Sequence, residues 1–215
     1  MSVDIRTFTV GPLAENCYIV RRPDASSAVI IDPGEEAERL TNALTQLNIT
    51  KLEAILLTHT HFDHVGAVKA LHDATGAPVY CPEHETEILK NINSFTFPGF
   101  GPFDPYVADY AVKADETLEL AELTLDVRFT PGHSPGHVTY AVRDENALLS
   151  GDVLFQGSVG RVDLPGGDWP TLFASITGLI NEFPAESTVY PGHGPLTTLA
   201  HERQSNPFLT ELAPH

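Results

Sequence analysis

The chain has 215 residues, of which 42% are hydrophobic, and this is enough for one domain with a buried core. Its 29 acidic and 12 basic residues give a formal net charge of −17, a surface that repels phosphate backbones and argues against nucleic acid as a partner. No apolar run approaches the ~20 residues that a membrane span needs, and the first residues lack a secretory signal pattern. We therefore expect a single domain over residues 1–215, with no membrane partner, that acts on a small molecule in the cytoplasm.

The first half of the chain alternates strand-like and helix-like patterns. Residues 3–10 alternate apolar and polar side chains with a period of two, which is typical of a half-buried strand. Apolar residues recur within 35–47 at the spacing of a helix. On the same criteria we predict further strands at 17–22, 28–31, 54–57 and 78–81, and further helices at 65–74 and 83–92, the last of them short and exposed.

The second half begins with an irregular aromatic segment. Residues 93–107 interleave Phe and Tyr with Pro and Gly, which predicts an active-site wall or a loop pinned onto the core by its own aromatic side chains, and both can hold at once. Beyond it we predict strands at 117–120, 123–129, 138–142, 147–149 and 188–190, and helices at 168–183, capped by Asp168, and 198–204. These patterns alone indicate an α/β or α+β fold in which two sheets are one option.

Potential metal ligands are most concentrated in the heptapeptide Thr58-His59-Thr60-His61-Phe62-Asp63-His64. It follows the predicted strand 54–57 and leads into a predicted helix, so we expect a loop that directs several side chains at one point. Imidazole nitrogens and carboxylate oxygens are ligands for zinc, iron and manganese. The heptapeptide therefore predicts part of a metal site.

Three further candidate ligands follow strand-like runs, and each has a glycine beside it: His133, Asp152 and His193. Glycine permits the tight turn and the close backbone approach that a crowded metal site requires. Seven ligands are too many for one tetrahedral ion and suit two. Two other residues keep open roles. Asp32 is a turn former or an acceptor that orients a ligand histidine, and His137 supports the ligands or lies apart from them.

From Gly11-Pro-Leu-Ala-Glu-Asn-Cys-Tyr18 to Asn206-Pro-Phe-Leu209, the chain resembles the metallo-beta-lactamase superfamily, in particular the short single-domain bacterial type of its glyoxalase II (hydroxyacylglutathione hydrolase) branch. The resemblance implies a four-layer αββα sandwich without an appended C-terminal helical domain. It also implies two divalent metal ions, zinc in the first instance, with iron or manganese as alternatives. By this resemblance His59, His61 and His133 hold the first ion, Asp63, His64 and His193 hold the second, and Asp152 bridges them.

The same resemblance implies hydrolysis of a small thioester such as S-lactoylglutathione by a hydroxide held between the two ions, with Asp63 as the catalytic residue that orients the hydroxide or takes its proton. A thiol has a pKa of about 8.5 and leaves without a dedicated general acid. Arg161 corresponds to a basic residue that binds the carboxylate-bearing glutathione substrate, and a guanidinium suits a carboxylate. Gly194-Pro195 replaces a Glu-Tyr pair of the full-length enzymes, so recognition of glutathione itself stays open.

Other activities of this fold remain as alternatives. A mononuclear iron dioxygenase for glutathione persulfide would keep most of the same motif residues, and a lactonase would share the hydrolytic chemistry. Aspartate at position 152, where the main zinc β-lactamases carry cysteine, argues against β-lactam hydrolysis. The sequence leaves the oligomeric state open.

Overall fold

Two six-stranded β-sheets form the centre of the structure, a computed structural model that describes residues 2–143 and 145–212. The first sheet follows chain order, and its pairing changes from antiparallel to parallel after the third strand. Its strands are β1 (Asp4–Val10), β2 (Glu15–Arg21), β3 (Ser27–Ile31), β4 (Lys51–Leu56), β5 (Val79–Pro82) and β6 (Tyr110–Val112). The helices of this half are α1 (Ala37–Gln46), α2 (Phe62–Val65), α3 (Val68–Thr75) and α4 (Thr86–Lys90), with 3₁₀ turns at Glu83–Glu85 and Ile92–Ser94.

The second sheet is built from the other half of the chain. Its strands are β7 (Thr117–Leu120), β8 (Leu123–Phe129), β9 (Val138–Val142), β10 (Ala147–Gly151), β13 (Thr188–Pro191) and β14 (Thr197–Thr198). They lie in the order β14-β13-β10-β9-β8-β7, and only β10 and β13 are parallel neighbours. A small hairpin of β11 (Leu154–Phe155) and β12 (Ser158–Val159), the helices α5 (Trp169–Glu182) and α6 (Leu199–Ser205), and a 3₁₀ segment at Pro207–Leu212 complete this half.

Alternating strand side chains divide the interior into three apolar cores. In β2, Cys17 and Ile19 pack in one core with residues of α1 and α3, whereas Tyr18 and Val20 pack against residues of the second sheet. On the far side of the second sheet, Leu148 packs in a third core with residues of α5 and α6. The resulting order of helix, sheet, sheet and helix confirms the expected four-layer αββα sandwich.

Hydrogen bonds join the two sheets at one edge. The backbone N–H of Val138 donates to Thr58 O over 2.8 Å, and Asn16 N–H donates to Gly192 O over 2.7 Å. The buried hydroxyl of Tyr140 donates to Leu57 O over 2.8 Å. Because β3, β4, β10 and β13 all end at this edge, the loops that follow them meet there.

Two predicted helices differ from the structure. The helix expected over 65–74 is divided into α2 and α3. At the break, Gly66 lies so close to the carbonyl of Gly34 that a Cβ would overlap it, and Ala67 N–H donates to Pro33 O at 3.0 Å instead of continuing one helix. The segment expected as a short, exposed helix over 83–92 consists of α4 between two 3₁₀ turns, and its Glu85 and Leu89 are buried. The exposure predicted for this segment was therefore wrong at those positions.

The structure confirms that the aromatic segment is pinned onto the core, and its role as an active-site wall stays a prediction. Phe100, Phe103 and Tyr106 pack against the core beneath the first sheet, which pins the loop. Phe95 and Phe97 remain 51% and 43% exposed. The segment then enters β6, an edge strand that the sequence patterns did not predict.

Helix α5 provides a test of local stability. The Asp168 carboxylate accepts a hydrogen bond from Thr171 N–H over 3.0 Å, as expected for a cap, and Pro170 lies in the first turn. We expect Asp168→Ala to lower the urea midpoint of unfolding, because the first turn loses its acceptor. Urea denaturation measures the change. Glu186→Ala, which removes an exposed carboxylate beyond the end of α5, is the control, and equal losses in the two variants would contradict the capping role.

Candidate metal centre

The heptapeptide forms the loop between β4 and α2. His59 is fully buried, His61 is half-buried at the start of α2, and Asp63 and His64 lie in the helix's single turn. Thr60 faces the opposite way and donates a hydrogen bond to Glu85. The loop therefore presents the two histidines of its extended part and the two ligand candidates of its helical part to the same space.

The structure brings all seven predicted ligands together. His61 Nδ1 lies 3.1 Å from His59 Nε2 and 2.8 Å from His133 Nε2. A second group joins His193 Nε2 to Asp63 Oδ2 at 3.3 Å and includes His64. These two groups are the same triplets that the resemblance implied.

Asp152 lies between the two groups. Its Oδ1 is 3.4 Å from His64 Nε2, and its Oδ2 is 3.4 Å from His133 Nε2 and 3.6 Å from His193 Nε2. A Cβ on Gly192 would overlap Asp152 Oδ1, so a glycine is required for this approach. One carboxylate thus faces both triplets, as a bridging ligand must.

In four of the five candidate ligand histidines, an oxygen atom lies within hydrogen-bond distance of Nδ1 and orients the ring. The carbonyl of Arg161 accepts from His133 Nδ1 at 2.8 Å, and the carbonyl of Leu13 accepts from His193 Nδ1 at 3.2 Å. A carbonyl can only accept, so these contacts place a proton on Nδ1 and turn Nε2 towards the centre. The equivalent oxygens are Thr58 Oγ1 for His59 and Asp32 Oδ2 for His64.

Asp32 fulfils both of its predicted roles. Its backbone turns with a left-handed φ of 49° after β3. Its carboxylate accepts from Thr58 N–H at 2.7 Å and Thr58 Oγ1–H at 2.6 Å, and Oδ2 lies 3.1 Å from His64 Nδ1. Asp32 therefore orients His64 and fixes the start of the heptapeptide loop.

His137 supports the centre through the backbone of Asp152. It is fully buried, and its Nε2 accepts from Asp152 N–H at 3.1 Å while its Nδ1 contacts Thr130 Oγ1 at 3.1 Å. Burial lowers the pKa of His137 well below its usual value, so the ring is neutral and able to accept. It lies outside the clusters of ligand atoms found among the described residues.

The donor set fits divalent cations. Within the described residues, the buried His64 Nε2 and Asp152 Oδ1 have no hydrogen-bond partner, although burying an unpaired polar atom is costly. Imidazole nitrogens of the first triplet also face one another at about hydrogen-bond distance. A cation bound between these atoms would satisfy their lone pairs, and nitrogen with carboxylate oxygen is a donor set that suits zinc or iron.

The electrostatics favour unprotonated ligands on one side of the centre. Burial lowers the pKa of His59 well below its usual value and that of His61 to about 4, so both are neutral at pH 7. For His64, burial opposes protonation, but the Asp152 and Asp32 carboxylates raise its pKa well above the usual value. Binding of a cation by His64 would therefore have to displace a proton.

Glu85 is a site residue that the sequence patterns did not indicate. It is 1% exposed, and its carboxylate accepts from Thr60 Oγ1 at 2.6 Å, Ser134 Oγ at 2.7 Å and Gly136 N–H at 2.8 Å. It thereby ties the loop of His59 and His61 to the loop of His133. No periodic signal marks a buried glutamate of this kind, because two of its three partners come from a loop in the other half of the chain.

Glu15 is a second buried carboxylate beside the centre. Within the described residues neither of its oxygens has a hydrogen-bond partner, and Oε1 lies 3.6 Å from His64 Nδ1. Burial raises the pKa of Glu15 well above its usual value. It lies in the segment Gly11–Tyr18 that carried part of the family resemblance, but its type alone did not identify it as a site residue.

A cavity of about 760 Å³ opens above the centre. His61, Asp63, His133, Asp152 and His193 form part of its lining, so the candidate metal ligands are reachable by a small molecule. Arg161 also lines the cavity, but its guanidinium is bound to Asp163 through Nε at 2.7 Å and Nη2 at 2.8 Å. None of the helices in the described residues has the length and apolar character to cross a membrane.

Two relatives align with this chain over nearly its whole length. A "Probable metallo-hydrolase YqgX" from Bacillus subtilis is 38% identical, over 95% of this chain and 96% of the relative. The "Hydroxyacylglutathione hydrolase GloC" from Haemophilus influenzae is 34% identical, over 96% of this chain and 98% of the relative.

Solved structures agree with the sequence relatives. The crystal structure of BLEG-1 B3 metallo-beta-lactamase is 42% identical with a TM-score of 0.90, and covers 96% of this chain and 100% of its own. The structure of TTHA1623 in a di-iron-bound form is 40% identical with a TM-score of 0.86, and covers 95% and 100%. The family model described as Metallo-beta-lactamase superfamily matches residues 10–193, which include all seven candidate ligands. The chain therefore belongs to the metallo-beta-lactamase superfamily, as one of its metallo-hydrolases.

Proposed function

We propose that this protein hydrolyses small thioesters of the hydroxyacylglutathione type, with S-lactoylglutathione as the first substrate to test, and that it uses two divalent metal ions. The observation that carries the proposal is the position of Asp152 between two ligand triplets at the base of an open cavity. The identity of 34% to a relative named hydroxyacylglutathione hydrolase supports the thioester class.

We assign the seven ligands as the geometry groups them. His59, His61 and His133 would hold one ion, Asp63, His64 and His193 the other, and Asp152 would contact both. Zinc suits these donors, and the di-iron form of a 40% identical structure supports iron as an alternative. When bound, such ions supply Lewis acidity that makes water nucleophilic at neutral pH and polarises a carbonyl.

The chain's own side chains would then position the reactants. Asp63 faces the cavity, with Oδ2 3.3 Å from His193 Nε2. Burial alone would raise the pKa of Asp63, but His193 and His64 hold it below its usual value, so the carboxylate is ionised. It can accept a proton from the attacking water or fix the direction of that water.

The cavity lining favours a thiol over an amine as leaving group. The described lining residues include no Lys, Tyr or Cys, and the Glu85 carboxylate is occupied by three hydrogen bonds, so a leaving amine would depend on Asp63 returning the proton it takes from the water. A basic amine needs a proton donor in order to leave, whereas a thiol with a pKa of about 8.5 leaves as the thiolate. This supports thioesters over amides.

Hydrolysis of β-lactams is the second candidate. It is favoured by the 42% identity to a structure described as a B3 metallo-beta-lactamase, and it runs against the sequence argument from Asp152. Hydrolysis of a chromogenic cephalosporin, measured beside S-lactoylglutathione, discriminates the two activities.

The proposed function predicts both metal content and activity. Elemental analysis of the purified protein should find two ions per chain, and the protein should hydrolyse S-lactoylglutathione. Asp152→Ala should reduce hydrolysis to background and lower the metal content, because both triplets lose their shared carboxylate. Asp73→Ala, an exposed carboxylate on α3, is the control. One iron per chain with oxygen consumption and no thioester hydrolysis would contradict the proposal.

The role of Glu85 can be separated from that of the ligands. Glu85→Ala should weaken metal binding by about 10- to 100-fold, because outer residues that hold ligands in place have effects of this size. We expect the loss mainly in the ion bound by His59, His61 and His133, measured by competition with a chelator. Glu83→Ala, an exposed neighbour in the same 3₁₀ turn, should bind metal normally. Unchanged affinity in Glu85→Ala would remove this residue from the site.

Arg161 is proposed to contact the substrate carboxylates. Arg161→Ala should raise KM about tenfold with kcat unchanged, which corresponds to one lost charge-assisted hydrogen bond. Asp163→Ala should lower KM, because Asp163 competes for the same guanidinium. Arg128→Ala, which breaks an ion pair with Glu182 away from the cavity, is the control for loss of charge. An unaltered KM in both Arg161→Ala and Asp163→Ala would exclude the proposed contact.

A further inference from the structure

The wall of the cavity is predominantly apolar. Outside the proposed ligands, its large apolar side chains come from α2, α4, the loop after β1, the loop after α4, the β11–β12 hairpin and the loop that follows it. They include Leu13, Phe95, Phe97, Phe155, Val159 and Leu164. A cavity of about 760 Å³ falls in the range that holds drug-sized ligands.

The charged groups of the wall are already paired. The Glu85 carboxylate accepts hydrogen bonds from Thr60, Ser134 and Gly136, and the Arg161 guanidinium binds Asp163. Thr96 donates its hydroxyl proton to Asn93 O. A polar group of a substrate placed deep in the cavity would therefore lose water and gain few partners, which is unfavourable.

Several large apolar side chains are left uncovered at the same place. Leu13 is 42% exposed, and Phe95 and Phe97 are exposed as well. Phe97 packs edge-on against Phe62 with 5.9 Å between the ring centroids, and this contact holds the Phe97 ring in place. Exposed apolar groups gathered around a concave site indicate an apolar ligand.

The cavity lining also includes an exposed cation. Arg161 is the one Lys or Arg side chain among the described lining residues, and 57% of its side-chain surface is accessible. A substrate with one charged and one apolar half would place the charged half at Arg161, towards solvent. Its apolar half would then lie against the phenyl rings.

We propose that the cavity selects thioesters whose acyl group carries a bulky aryl or aliphatic substituent, with the polar thiol half directed to Arg161. This inference rests on the proposed thioester hydrolysis and names the substrate class within it. The lactoyl group presents only a methyl group to this wall, whereas a bulkier acyl group presents an apolar substituent.

A matched pair of substrates tests the inference. S-lactoylglutathione and S-(3-phenyllactoyl)glutathione share the thiol and the α-hydroxyl group and differ by one phenyl ring. We expect kcat/KM to be higher for the phenyllactoyl thioester by about tenfold or more, because hydrophobic pockets discriminate by this factor or more for even smaller apolar groups. Phe95→Ala and Phe97→Ala should each reduce the ratio of the two kcat/KM values several-fold.

The control is Phe208→Ala, which removes an exposed phenylalanine outside the cavity and should leave the ratio unchanged. Equal kcat/KM values for the two substrates, or a preference for the lactoyl thioester, would overturn the inference while leaving thioester hydrolysis intact. An equal loss for both substrates in Phe95→Ala and Phe97→Ala would also overturn it. Hydrolysis of neither substrate would overturn the proposed function together with the inference.

Discussion

The candidate centre depends on the junction between the two sheets. Val138 N–H binds Thr58 O and Asn16 N–H binds Gly192 O, so each sheet donates to or accepts from a loop that carries ligands. These bonds are made by backbone groups beside the ligands and use none of the ligand side chains. Hydrogen bonds in a poorly solvated interior are strong, and their loss would leave buried groups unpaired. The relative position of the two halves is therefore fixed where the chemistry requires it.

Two buried carboxylates hold the loops beside this junction in place, and one of them joins the two halves. Asp32 holds Thr58 and His64, within the first half of the chain, whereas Glu85 reaches across to Ser134 and Gly136 in the second. A buried carboxylate is tolerated when several donors surround it, and each of these receives at least three contacts from donors or imidazole. Such groups convert loops, which are usually mobile, into rigid supports for ligands.

The sequence indicated the parts of the structure that depend on local pattern. Strand β1 follows from its period of two, and the heptapeptide concentrates ligands in one loop, so both could be predicted without knowledge of the fold. Glu85 could not, because its burial is created by residues about 50 positions later in the chain. Strand β6 is too short to show a period and is defined by pairing with β5. The pairing of Arg161 with Asp163 is likewise a side-chain geometry that residue types do not determine.

The aromatic segment has two sets of side chains, one packed against the core and one exposed. Phe100, Phe103 and Tyr106 are anchored in the core, while Phe95 and Phe97 stand on the exposed side of the same loop. Substitution of an exposed residue usually changes folding free energy by no more than about 0.5 kcal/mol, whereas a core residue is far more costly to replace. Evolution can consequently reshape this wall for new ligands while the scaffold beneath it, and the clustered imidazoles, stay as they are.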